Sequence, residues 1–230
     1  MPTIGEFNAR FAEIIEISEG AIMKTQRTLR DAGLLTTGAR GVNAPEFVPL
    51  DAARMLIAVL VTDRPSLAPA AVRSFGGLKI AFQNWHETDD PEHGALIEKL
   101  KATETFEEML ALLIGAIAGM SPDLRSKYLR SLHVDCTASE LAAQLQCPGV
   151  QSFFSTIGPW MDLLGESDPK RRDEKVKAAE LEQQRARRRA AAFMVGGGRI
   201  TTNRIVKGDV VAEISALFRR ATAEPLRKAG

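Results

Sequence analysis

Cysteine is scarce in this sequence of 230 residues: only Cys136 and Cys147 are present. Two thiols so far apart cannot supply the clustered ligands of a metal-binding framework. Unpaired cysteines are typical of proteins in a reducing compartment. We therefore expect both thiols to be free and buried, and we expect the protein to be cytoplasmic.

Long apolar runs are also missing. The longest, Met55–Val61 and Met109–Ile117, are well short of the roughly 20 residues that a membrane-spanning helix needs. The opening residues, MPTIGEF, lack the basic region and apolar run of a secretory signal. The sequence therefore predicts no membrane partner. The formal net charge is +1, so only the distribution of charge can argue for an acidic partner.

Recognisable catalytic motifs are absent as well. The sequence has no G-x-S-x-G and no Walker loop, and no Lys-Ser or Lys-Thr pair follows the glycines at 196–198. His133 stands alone among apolar neighbours, which favours a structural role over that of a base. The polar run 81–94 contains five residues of types that bind metals: His86, Asp89, Asp90, Glu92 and His93. No second cluster elsewhere in the sequence would complete a metal site, so the run is interpreted as a solvated connector. We therefore expect neither an enzyme nor a cofactor nor a metal.

Residues 11–41 have the pattern of a helix-turn-helix. A short amphipathic helix and a turn of three or four residues precede a second helix from about Glu19 to Ala32. Ser18 stands where the second helix needs an N-cap, and Gly33 where a left-handed C-cap is expected. Ile17 falls in the turn, and the apolar stripe that faces a common core contains Phe11, Ile14, Ile15, Ile22, Thr25 and Leu29.

The predicted outer face of the second helix is polar and largely basic. In chain order it contains Glu19, Lys24, Gln26, Arg27, Arg30 and Asp31. Arg27 and Arg30 are three residues apart and therefore project from the same side. Lys, Gln and Arg side chains reach phosphates or base edges in a major groove, where a recognition helix fits. This pattern predicts double-stranded DNA as the partner.

The predicted second helix ends in AGLL at 32–35, and the loop TTGARGVNAP follows it. This stretch resembles the helix-turn-helix of winged-helix and related bacterial regulators, in which a recognition helix ends in AGLL or AGLI before a basic loop. The resemblance implies that Arg40 on the loop contacts the DNA backbone or the minor groove. It makes Ser18, Lys24, Gln26, Arg27, Arg30 and Arg40 the candidate DNA-binding residues. Glu19 and Gly20 depart from the pattern, because they weaken the start of the helix and place a negative charge near DNA.

A longer run, LRDAGLLTTGARG followed by PLDAARMLIAVL, is similar to uncharacterised proteins of bacterial prophages and gene-transfer elements. With the basic helix, this similarity predicts a DNA-binding transcriptional regulator of prophage or mobile-element type. Two alternatives stay open. A phage DNA-packaging recognition subunit of the small-terminase kind also has an N-terminal helix-turn-helix but assembles into rings. A non-catalytic structural or adaptor protein would use the helix pair as ordinary core.

The predicted fold is mainly α-helical with a minor β component. It is divided into a helix-turn-helix domain (1–80), a second helical or mixed domain (81–165), a charged helix with a glycine-rich linker (166–198) and a strand-turn-helix docking tail (199–230). Pro49 opens a third helix of the first domain, which runs to about Val61 and buttresses the first two. In the second domain, helices are expected from Pro91 and from the capping box that begins at Thr105.

Two interpretations of residues 131–157 stay open. The alternation of Leu132, Val134 and Cys136 favours a strand, and with 141–145 and 150–157 it suggests a small antiparallel sheet. The segment SELAAQLQ also fits a short helix behind a capping box at Thr137. The sheet is slightly favoured.

The last quarter of the sequence combines a charged helix with an apolar one. Residues 167–194 are strong helix formers with few bulky apolar side chains, which is typical of a solvated helix. Its candidate phosphate contacts are Arg185, Arg187, Arg188 and Arg189. After a predicted strand, a Lys207-Gly208 turn precedes a helix from Val210 to about Arg220. Its apolar face predicts either docking on the second domain or a partner protein or homodimer contact through 210–220.

Overall fold

The computed structural model describes residues 4–36, 47–137, 141–156, 168–191 and 203–219. The fold is mainly α-helical with one small antiparallel sheet, as the sequence predicts. None of the helices in these ranges combines the length and apolar character that a membrane crossing requires.

Four helices make up the N-terminal part: α1 (Ile4–Ile14), α2 (Glu19–Asp31), α3 (Pro49–Val61) and α4 (Ala68–Phe75), with a 3-10 turn at Pro65–Leu67 before the last. The bounds of α2 and α3 agree closely with the sequence prediction, because apolar residues recur at helical spacing and proline stands in the first turn of α3. However, α3 packs mainly against the sixth helix and α4, and only lightly on α2.

Helices α5 (Pro91–Lys101), α6 (Phe106–Ile117) and α7 (Pro122–Ser131) follow. The capping box that the sequence predicts at the start of α6 is present. The Thr105 hydroxyl accepts from the Glu108 amide at 3.4 Å, and the Glu108 carboxylate accepts from the Thr105 amide at 3.1 Å. These local bonds fix the start of a core helix, in which Phe106, Met109 and Leu113 are fully buried.

The sheet has five strands in the order β1-β4-β3-β2-β5, and every neighbouring pair is antiparallel. The strands are β1 (Ile80–Trp85), β2 (His133–Thr137), β3 (Ala142–Cys147), β4 (Val150–Ser155) and β5 (Asn203–Lys207). One face carries a fully buried cross-strand row, Val134, Leu145 and Ser152. The opposite face carries an exposed polar row, His133, Gln146, Gln151 and Asn84. Because side chains alternate along each strand, one face of this sheet packs on helices while the other meets solvent.

The sheet decides between the two interpretations of residues 131–157 in favour of strands. β2 and β4 lie within two of the three segments in which the sequence suggests strands, and β3 overlaps the third and extends two residues beyond it. The helix suggested for SELAAQLQ is wrong from Leu141 onward. Leu141 has a φ of 49°, outside the right-handed helical region, and β3 begins directly after it. His133, for which the sequence predicts a structural role, is exposed at the start of β2.

Residues 81–94 are not simply a connector, which corrects the sequence interpretation. Their first part belongs to β1, which forms an edge of the sheet against β4. The strand has polar residues at Gln83 and Asn84 and an exposed Phe82, so its sequence lacks the apolar alternation of a half-buried strand. Its partner β4 is about 70 residues further along the sequence, and no local sequence pattern indicates such a pairing.

A single buried cluster runs from Phe7 to Phe218. Phe7 illustrates its reach, because its ring lies 4.1 Å from that of Phe47 and 6.2 Å from that of Phe218. The boundary that the sequence predicts near residue 80 therefore does not coincide with a gap in the core. The predicted boundaries near 165 and 198 lie outside the described residues.

The C-terminal helix, α9 (Gly208–Arg219), packs on α6, α7 and α1, while β5 pairs with β2. The apolar face that Val211, Ile214 and Phe218 form is buried inside the chain. Docking, the first of the two predicted outcomes, is thus observed, and this face is not available for a homodimer or another protein through 210–220.

Gly208 does not make the predicted turn, because β5 runs directly into α9 at this residue. A Cβ atom on Gly208 would lie only 2.5 Å from the Tyr128 carbonyl and 2.8 Å from that of Leu129. Glycine is thus needed here for the close approach of the α9 start to the backbone of α7.

The remaining helix, α8 (Pro169–Ala191), lies within the range that the sequence predicts for the charged helix. Nearly all its described side chains are exposed, as expected for a helix with few bulky apolar residues.

We predict that Ile214→Ala lowers the free energy of unfolding by roughly 2–5 kcal/mol, because a fully buried side chain leaves a cavity in the core. Chemical denaturation measures the change. The control is Glu213→Ala, an exposed neighbour on the same helix, which should change stability by no more than about 0.5 kcal/mol. Equal, small effects of both substitutions would show that α9 is not docked in solution.

Candidate nucleic-acid interface

A tight turn of four residues, 15–18, joins α1 to α2. The Ile17 amide donates to the Ala12 carbonyl at 3.1 Å, and Glu16 takes a positive φ of 55°. Ser18 occupies the predicted N-cap position, but its side chain makes no capping hydrogen bond. The turn is therefore held by backbone bonds and by partly buried Ile15 and Ile17. The capping role predicted for the Ser18 hydroxyl is wrong.

The C-terminal end of α2 closes as the sequence predicts. Gly33 has a φ of 70°, its amide donates to the Arg30 carbonyl at 2.9 Å, and the Leu34 amide donates to the Leu29 carbonyl at 3.0 Å. These two bonds define a Schellman motif, in which glycine takes the left-handed position at no steric cost. Partly buried Leu34 packs against the core.

Two arginines from neighbouring helices bind the same end of α2. Arg73 of α4 donates to the Ala32 carbonyl at 3.1 Å, and Arg54 of α3 donates to the Leu34 carbonyl at 2.8 Å. Arg54 also forms a two-pronged ion pair with Glu107 of α6, at 3.0 and 2.9 Å. The hydrogen bond with Glu107 raises the pKa of the Arg54 guanidinium, which stays charged. The end of α2 is thus tied to three other helices.

Packing against α1 and the core leaves one side of α2 exposed. Lys24, Arg27 and Arg30 all lie on it, and the exposed fraction of the Arg27 side chain is 77%. Met23 lies on the same side of the helix and is 53% exposed. Three of the predicted DNA-facing side chains therefore share one solvent-facing surface, which we call the α2 basic face (Met23, Lys24, Arg27, Arg30).

Gln26 does not belong to the α2 basic face, which corrects the sequence prediction. Its side chain is only 6% exposed and accepts a long hydrogen bond, 3.4 Å, from the amide of buried Asn8 on α1. The predicted DNA-facing surface of α2 wrongly included Gln26, because this residue lies at the border between the buried and exposed sides of the helix. Its role in the structure is to join the two helices of the pair.

Acidic residues flank the α2 basic face at both ends. Glu19 is exposed at the start of the helix, and the exposed carboxylate of Asp31 lies 3.9 Å from the Arg27 guanidinium. Ion pairs between exposed side chains in the i, i+4 relation contribute little stability. Arg27 can therefore leave Asp31 at low cost for a stronger anionic partner such as a phosphate.

The loop that carries Arg40 lies outside the described residues, but both of its ends are held by one carboxylate. Asp51 accepts from the Thr36 amide at 2.8 Å and from the Val48 amide at 3.1 Å. Asp51 is 1% exposed, so its carboxylate is shielded from water. The loop thus leaves and rejoins the body of the protein beside the end of α2.

The four arginines predicted to contact phosphates lie in the last turns of α8. Arg185 and Arg188 are exposed, whereas the side chains of Arg187 and Arg189 lie outside the described part of the chain.

His93 and both cysteines are buried. His93 Nε2 lies 2.8 Å from the Pro148 carbonyl oxygen, which fixes its ring, and across the described ranges no three side chains converge as metal ligands. Both cysteines are free and buried, as predicted. Burial raises the pKa of the Cys147 thiol to about 12 and raises that of Cys136 as well, so both are protonated at neutral pH.

No protein-family model matches this chain, and neither a curated protein nor a solved structure does. Sequence analysis missed Arg54, Arg73 and the full role of Asp51. Arg54 and Arg73 bind carbonyl groups 20 and 41 residues away, and no local pattern signals such contacts. For Asp51, its place in the first turn of α3 was the only available signal.

Replacing Asp51 by alanine should lower the free energy of unfolding by about 1–3 kcal/mol, because two backbone amides lose their shielded acceptor. Thermal or chemical denaturation measures this. Asp31→Ala is the matched control, since it removes an exposed carboxylate from the same region and should be nearly neutral. An Asp51→Ala variant as stable as the wild type would refute the proposed role of this carboxylate at the base of the loop.

Proposed function

We propose that the protein binds double-stranded DNA through the α2 basic face and acts as a transcriptional regulator of prophage or mobile-element type. The observation that supports this most directly is that α2 is fixed on its other sides and presents Lys24, Arg27 and Arg30 together on its exposed side. A helix held in this way offers its charged side chains without first having to be ordered.

The dimensions of α2 suit a major groove. Thirteen residues give a helix of about 20 Å, and a major groove of roughly 12 Å width admits one α-helix. Arg27 and Arg30, one turn apart, would meet base edges or phosphates on neighbouring steps of the duplex. Lys24, nearer the start of the helix, would meet a phosphate as a point charge.

Arg40 is proposed to contact the DNA backbone from the loop, and Ser18 the backbone near the start of α2. The support for Arg40 is that Asp51 binds the backbone on both sides of the loop, at Thr36 and Val48, beside the C-terminal end of α2. The support for Ser18 is that it is exposed and that its hydroxyl makes no capping hydrogen bond to α2.

We predict that Arg27→Ala and Arg30→Ala each flatten the preference between a selected duplex and a random one by about 1–3 kcal/mol, the usual contribution of a base-reading arginine. The preferred duplex is first obtained by selection from a random library with the full-length protein. Titrations on both duplexes at two salt concentrations then measure the effect. Unchanged melting temperatures are expected, because both side chains are exposed.

Two further variants sharpen the comparison. Arg40→Ala should weaken binding to both duplexes alike and reduce the salt dependence by about one phosphate contact. Gln26→Ala should lower the melting temperature, because this buried side chain joins α1 to α2. If Arg27→Ala and Arg30→Ala bind both duplexes like the wild type, α2 does not read DNA.

The mass of the protein in solution separates the proposed regulator from the packaging alternative. A regulator is expected as a monomer or dimer, whereas a packaging recognition subunit assembles into a ring. The complete absence of salt-sensitive affinity for duplex DNA would instead favour a structural or adaptor protein.

A further inference from the structure

Helix α8 carries a net positive charge, whereas the rest of the chain carries a net negative one. Its 23 residues include nine basic and four acidic side chains, a net charge of +5. The whole chain sums to +1, so the residues outside α8 sum to −4. The excess lies toward the end of the helix, because four arginines and no acidic residue occur between Gln183 and Ala191.

Burial shows which side of α8 faces outward. Ala179 is fully buried, and Val176 and Gln183, one turn away on either side, are half-buried. These three positions share one side of a helix, so that side lies against the rest of the chain.

The opposite side of α8 carries a row of exposed basic residues, Lys170, Lys177, Arg185 and Arg188, which we call the α8 basic stripe. They fall within an arc of about 80° and extend over about 27 Å of the helix axis. Glu174 and half-exposed Leu181 lie in the same arc. Glu174 offsets charge only at the N-terminal end, one turn from Lys170 and Lys177. No described acidic side chain forms an ion pair with Arg185 or Arg188.

We infer that the α8 basic stripe is a second nucleic-acid contact, which binds the phosphate backbone of duplex DNA without reading its sequence. A straight row of cations about 27 Å long matches the rigid, regularly charged surface of a duplex over most of one helical turn. Arginine supplies six of the nine basic residues of α8, and its planar group binds phosphate oxygens in pairs.

The composition of α8 argues against two other anionic partners. Proteins that hold single strands stack bases on aromatic side chains, and α8 contains no aromatic residue. A helix that lies on a membrane surface needs a broad apolar face, whereas Val176 and Leu181 are the only bulky apolar residues in α8. Duplex DNA is therefore the partner whose chemistry fits best.

This inference stands apart from the proposed function, because it needs no sequence preference and no contact from α2. A random-sequence duplex tests it, and the α2 proposal is tested on the difference between selected and random duplexes. Failure of one therefore leaves the other in place.

The test is a titration of full-length protein with a labelled random duplex of 30 base pairs, between about 50 and 200 mM salt. The variant replaces Lys170, Lys177, Arg185 and Arg188 by glutamine, which keeps good helix formers in place. Because each phosphate contact contributes about 0.9 to the slope of log affinity against log salt, the slope should become shallower by about 3–4, with roughly tenfold or greater loss of affinity at the lowest salt.

A matched control removes the same charge from exposed positions elsewhere: Lys99, Lys101, Lys127 and Arg130 are replaced by glutamine. This control should bind within about twofold of the wild type, and circular dichroism should show unchanged helix content for both variants. A third variant, with lysine in place of Arg185 and Arg188, keeps the charge and should retain the wild-type salt slope.

Four results would overturn the inference: no affinity of the wild type for random duplex at low salt, an α8 variant that binds like the wild type, an equal loss in the matched control, or tighter binding of a single strand than of the duplex.

Discussion

The packing of α3 against α6 is the interaction on which the rest of the structure depends. Most residues of α3 are buried, so this helix has little freedom to move relative to the core. Asp51 and Arg54 bind the two segments that flank residues 37–46, and Arg54 reaches Glu107 on α6 at the same time. The position of the C-terminal end of α2 is thus fixed by a helix that is itself largely buried in the core.

This dependence explains why the exposed surface of α2 is narrow. Ile22 and Leu29 bury one side in the core, Gln26 turns toward Asn8, and the C-terminal carbonyls are bound by arginines of α3 and α4. The arc that is left carries three cations at fixed spacing. A surface held from so many directions is suited to shape-dependent recognition, because little conformational entropy is lost on binding.

The parts of the fold that the sequence predicts well are those specified by neighbours along the chain. The bounds of α2, α3 and α6 follow from helical spacing, proline at the first turn, the Thr105–Glu108 capping box and the left-handed Gly33. The parts that it misses depend on distant partners. β1 is a strand because β4 lies beside it, and Gln26 is buried because Asn8 meets it from another helix. The same holds for Gly208, whose sequence indicates a turn although the need for glycine comes from the backbone of α7.

The two proposed DNA contacts, the α2 basic face and the α8 basic stripe, differ in net charge and would therefore have different roles in binding. Helix α2 carries three basic and two acidic residues, so its own net charge is only +1, although its outer face is basic at the centre. Such a helix attracts a polyanion weakly at long range and acts mainly through short, directed contacts. Helix α8, with a net charge of +5 in a chain that is otherwise negative, would supply the long-range attraction that α2 lacks. Because the residues outside α8 sum to −4, encounters with DNA would be biased toward orientations in which α8 arrives first. Recognition by α2 would then take place on a duplex that is already held.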